Sequence, residues 1–98
     1  MTLERARAYA RVMRTLRDIG PVKLLSSEQA VTRHAADALL FCADIARDRA
    51  ARAAYSAFGM VHEQLIASGR WTSESAGALA DDVWACGPGL DVPLLRAA

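Results

Sequence analysis

The sequence predicts an all-α domain, a small four-helix antiparallel bundle with an extended C-terminal tail, and three observations predict it. Residues 30–69 hold no proline, and no glycine before Gly59, so nothing forces the backbone out of a helix for about thirty residues. Apolar side chains recur at helical spacing both there and in the segments on either side. The strong breakers, Gly20 with Pro21, Gly69, and Gly87 with Pro88 and Gly89, leave short connections, which favour antiparallel neighbours.

The totals fit one domain spanning residues 1–98. A chain of this size buries only about 60–65% of its unfolded surface, so its stability is thin and a partner subunit is plausible. Apolar residues make up 53% and charged residues 23%, a globular composition rather than a disordered one. The net charge is +1, so no global field advertises a polyanionic partner. Lys23 is the only lysine among many arginines, and alanine is abundant; both biases suggest a GC-rich, bacterial genome. The basic start of the chain lacks the apolar run of a signal peptide, and no apolar run approaches a membrane span. A cytoplasmic location with reduced thiols is the expectation.

The first helix is expected over residues 3–19. On a helical wheel Tyr9, Val12, Met13, Leu16 and Ile19 share a stripe, with Arg7, Arg11, Arg14 and Asp18 opposite. Gly20 and Pro21 stop it, because proline disfavours a helical residue before it and cannot extend the ladder. The second helix, over 27–44, is expected to start from Ser26, with Gln29 reaching back as in a capping box. Val31, Ala35, Ala38, Leu39, Cys42 and Ile45 line one side of it, and the apolar run 39–42 implies burial on several sides.

A straight continuation to Ser68 would make a rod roughly 60 Å long, more than this domain could cover. A break near 44–48 follows, with Asp44 or Asp48 capping the next helix; the competing reading is one long helix shared by a dimer. The third helix, over 48–68, sets Ala51, Ala54, Tyr55, Phe58, Val61, Leu65 and Ile66 against Arg49, Arg52 and Glu63. Its small residues allow close helix approach, and Gly69 ends it in the left-handed conformation. The fourth, over 73–86, has Thr72 as its cap and Glu74 at the positive end of its dipole. Ala76, Leu79, Ala80, Val83 and Trp84 form its apolar face. The tail, 88–98, contains Pro93 and no helical period, and is expected to be extended.

No arrangement of residues stands out as able to do chemistry, so no enzyme, cofactor or metal is expected. His34, His62, Cys42 and Cys86 are ligand types, but none are paired at ligand spacing. Cys42 lies in an apolar stripe and Cys86 at a helix C-terminus, and both placements disfavour the thiolate. Residues 60–84 can be written as a helix-turn-helix, yet the would-be recognition helix carries Glu74, Asp81 and Asp82 and no cation. An interfacial membrane helix would need the apolar face of the first helix, which the core needs more. A small-molecule pocket lined by Phe41, Tyr55 and Phe58 would lack a polar anchor.

The clearest signal is a charge asymmetry. Residues 1–25 hold six cations against two acids, about +4, while residues 71–95 hold Glu74, Asp81, Asp82 and Asp91 and no cation, about −4. Either the two ends lie side by side in one chain, or one chain's basic helix meets another's acidic one. The expected function is a small non-catalytic interaction or adaptor module that self-associates or docks onto a larger protein. Tyr9, Met13, Trp71 and Trp84 are the candidate contacts, since aromatic residues often carry binding energy. The alternative is an accessory nucleic-acid-binding subunit holding phosphates with Arg7, Arg11, Arg14 and Arg17.

Overall fold

A computed structural model describes residues 2–88. Four helices, α1 (Leu3–Lys23), α2 (Ser26–Leu40), α3 (Arg49–Ala67) and α4 (Ser73–Ala85), form an all-α bundle, and there is no strand among the described residues. Each helix packs against the next, and α4 closes against α1. The pairings run antiparallel. Arg5, in the first turn of α1, bonds to backbone at the ends of α2 and α4, whereas Trp71, just before α4, reaches back to Lys23. The core gathers Val12 and Leu16 of α1, Leu24, Leu39 of α2, Phe58 and Leu65 of α3, and Leu79 and Val83 of α4.

The break expected near 44–48 is present. A single 3-10 turn, Ile45–Arg47, separates α2 from α3. Asp44 accepts from the Ala46 N–H at 3.0 Å, and Asp48 caps α3 by accepting from the Ala51 N–H at 2.9 Å. Gly20 interrupts α1 at φ 79°, ψ 164°, a conformation outside the reach of ordinary L-residues, and Pro21 opens one last turn after it. Gly69, at φ 76°, takes the left-handed conformation expected of it.

Three local expectations differ from the structure. The N-cap of α2 is Leu25 rather than Ser26: the Glu28 carboxylate, not the Gln29 amide, accepts from the Leu25 N–H at 2.9 Å. Gln29 instead donates to the Leu24 carbonyl at 2.9 Å. Helix α2 ends at Leu40, four residues short of the expected end, because the guanidinium of Arg5 takes the carbonyls of Leu39, Leu40 and Cys42. Phe41 therefore leaves the helix and is 77% exposed, so the run 39–42 is not buried all round. The extended tail lies, apart from Pro88, outside the described residues.

Candidate interaction surface

A few polar side chains hold the helices together. Nε of Arg5 donates to the Cys86 carbonyl at 2.8 Å, and Nη2 donates to those of Leu39, Leu40 and Cys42 at 2.7, 3.0 and 2.8 Å. One side chain thus caps the ends of both α2 and α4, whose last carbonyls have no partner within their own helices. At the opposite end of α2, Glu28 takes a two-pronged hydrogen bond from Arg70 at 2.7 and 2.8 Å. That pairing holds the Glu28 carboxyl below its ordinary range, against the upward push of burial. The Tyr9 hydroxyl donates to Asp37, which together with burial raises the Tyr9 pKa.

The four candidate contact residues do not converge. Tyr9 and Met13 lie partly buried along α1, with Tyr9 tied to α2. Trp84 packs its ring 4.9 Å from that of Tyr55, between α4 and α3. Trp71 sits at the other end of the bundle, its indole N–H donating to the Lys23 carbonyl at 2.7 Å. It is partly buried against the core, and Val22 and Leu25, on either side of Lys23 in the sequence, are 82% and 49% exposed. Val22 lies in the last turn of α1, past the Gly20 interruption, and Leu25 in the connection to α2; neither continues an apolar stripe, so the sequence did not single them out.

The basic residues separate into different roles. Arg11 pairs with Asp82 of α4 at 2.9 Å, so the basic and acidic ends of the chain lie side by side in one molecule. Arg17 pairs with its neighbour Asp18 at 3.3 Å, with both side chains well exposed. Arg7 and Arg14 are exposed and have no ion-pair partner among the described residues, and the same holds for Glu74 and Asp81 on α4. Asp91 lies outside the described residues. A groove of about 710 Å³ opens where α1 begins and α4 ends, lined by Glu4, Arg5, Arg7, Arg11, Trp84 and Pro88 among others.

The remaining candidates are dispersed. His34 is exposed, while His62 lies 6.4 Å from the Phe58 ring with its Nε2 buried and without a partner. No three His, Cys, Asp or Glu side chains gather among the described residues. Cys42 and Cys86 are free and buried. Burial, with Asp82 adding to it, pushes the Cys86 thiol up to about 11; burial likewise raises Cys42. Tyr55 and Phe58 are neighbours at 6.2 Å, but exposed Phe41 does not join them to line a pocket. No helix among the described residues is long and apolar enough to cross a membrane.

Comparison with protein-family models, with curated proteins and with solved structures gives no match to this chain. Arg5 and Glu28 are the residues that sequence reasoning passed over. A signal for each was there: Arg5 falls three and seven positions before Ala8 and Val12, and Glu28 four and seven before Thr32 and Ala35, all buried. A charged residue in phase with an apolar stripe marks a side chain turned inward.

Proposed function

We propose that the chain is a small, non-catalytic helical interaction module that docks onto a protein partner, either a second copy of itself or a larger subunit. The observation that carries this reading is the end of the bundle at the α1–α2 connection. Val22 and Leu25 stand exposed there on either side, in sequence, of Lys23, whose carbonyl holds the indole of the partly buried Trp71. An aromatic ring fixed by one hydrogen bond, at an end of the bundle that also exposes aliphatic side chains, has the composition of a binding hot spot. The engaged state of the polar groups agrees with it, since Arg5, Glu28, Arg70 and Asp37 are committed to neighbouring helices.

The test separates a docking patch from a piece of the core. Replacing Val22 and Leu25 together by serine should leave the melting temperature within about 2 °C, the range of ordinary surface substitutions. A fall of many degrees would assign them to the fold and remove the observation. The accessory nucleic-acid reading draws on Arg7 and Arg14, which lack carboxylate partners among the described residues. Binding of a short RNA or DNA duplex that weakens steeply between about 50 and 200 mM salt would favour that reading and overturn this one.

A further inference from the structure

We propose that the groove between the start of α1 and the end of α4 is the docking site of the chain's own residues 89–98, with Leu90, Val92 and Leu94 lying along it. Those residues are outside the described ones, and the place where they begin carries the argument. Cys86 and Gly87 are buried, and Gly87 is seated against α2: a Cβ added to it would come within 3.2 Å of a Leu39 methyl carbon. The chain is therefore still held to the bundle at Gly87, and both Gly87 and Pro88 form part of the groove wall. Whatever follows Pro88 sets out from the groove itself. This end of the bundle is opposite to that of Val22 and Leu25, and the inference does not depend on how that end is read.

The groove, of about 710 Å³, has walls of mixed character that suit an extended segment. Ala85 and Pro88 are apolar, and Arg7 and Arg11 offer methylene stems beneath their charged heads. Pro93 disfavours a helical Val92, and an extended chain turns the alternate residues Leu90, Val92 and Leu94 to one side. At about 3.3 Å per residue, Leu90 reaches roughly 7 Å from Pro88 and Leu94 roughly 20 Å, enough to lie along the groove. Tethering then selects the occupant. A segment joined to the wall by one or two residues meets it at an effective concentration on the order of millimolar, which a separate protein or a second copy seldom matches. Filled in this way, the groove adds apolar contact to a chain short of core and screens the hydrogen bonds of Arg5, which lines it, from water. It also leaves the Val22 and Leu25 end as the one open to a partner.

Nitrogen-15 relaxation on the full chain tests it. Leu90, Asp91, Val92 and Leu94 should have backbone order parameters above about 0.7, where a loose tail gives values below about 0.6. Those values should not change over about a tenfold dilution, because the contact is made within one chain. Nuclear Overhauser contacts should join the methyl groups of Leu90 or Leu94 to the Ala85 methyl and to the Arg7 side chain. The L90S/L94S variant, with an unchanged helical circular dichroism spectrum, should bring the segment below about 0.6. The inference is overturned by wild-type values already below about 0.6, by contacts that fall elsewhere on the bundle, or by an L90S/L94S segment as ordered as that of the wild type. It is overturned too if the order is lost on dilution while the mass by light scattering falls from twice 10.5 kDa, which would give the groove to the tail of a second copy. Each of these failures leaves the docking role of the Val22 and Leu25 end standing, so it is distinguishable from failure of the broader reading.

Discussion

The guanidinium of Arg5 meets four carbonyl oxygens, and no carboxylate pairs with it among the described residues. Those oxygens belong to the ends of α2 and α4, where each helix dipole places about half a negative charge. The cation therefore sits against two partial charges of opposite sign, and its planar fork matches acceptors arriving from separate segments. Arg5→Ala should cost about 2–4 kcal/mol in urea unfolding, since several carbonyls lose their partner at once. Arg5→Lys should recover little of it, because a compact ammonium lacks the fork. Glu28 supplies the pH dependence. Its carboxyl titrates lower in the fold than in the unfolded chain, chiefly because Arg70 is bonded to it. The stability it adds is then present above its ordinary value of about 4.5 and is lost as the pH falls through its lower folded value. The melting temperature of Glu28→Gln should accordingly lie below that of the wild type at pH 7 and approach it under acid conditions. A gap that stays constant with pH would show that the carboxylate charge plays no part.

At the scale of the helix, the ends written in local chemistry were legible and those decided by tertiary contacts were not. Gly20 before Pro21, Asp48 before α3, Gly69 after it and Thr72 before α4 all act where their residue types say they should. The two ends of α2 were misjudged because the deciding groups are distant. Arg70, from the far side of α3, fixes the Glu28 carboxylate that serves as the reach-back group, and Arg5 takes the carbonyls at the other end. Ser26 consequently stands one place inside the helix rather than at its cap. The contrast is measurable. Asp48→Ala removes a cap and should cost about 1 kcal/mol, whereas Ser26→Ala should change stability by only a few tenths. Gly20→Ala meets no neighbour within 4 Å, so the loss it causes reports backbone strain rather than a clash, roughly 1–3 kcal/mol in that glycine-favoured conformation.

Across the whole molecule, the charge asymmetry was legible as a number but not as a geometry. Composition set about +4 against about −4 at the two ends; only the fold brings α1 beside α4 and joins Arg11 to Asp82. The apolar end at Val22, Leu25 and Trp71 was half legible, through Trp71 alone. What a chain of this size has in short supply is core, and Arg5 ties together segments that a small core would hold loosely. The two thiols report on that tie, because Arg5 grips the carbonyl of each cysteine with the same guanidinium. Both thiols are buried, and Cys86 in the fold stays protonated up to a pH of about 11. At pH 8 a thiol reagent should therefore label neither cysteine until the protein opens. If Arg5 makes the two helix ends open as one unit, Cys42 and Cys86 should be labelled at rates within about a factor of three of each other. Arg5→Ala should then speed both, and should separate their rates as the ends of α2 and α4 come to open independently. Rates read by mass spectrometry of the labelled peptides decide it: wild-type rates that already differ by orders of magnitude would mean that the arginine caps two helices without coupling them.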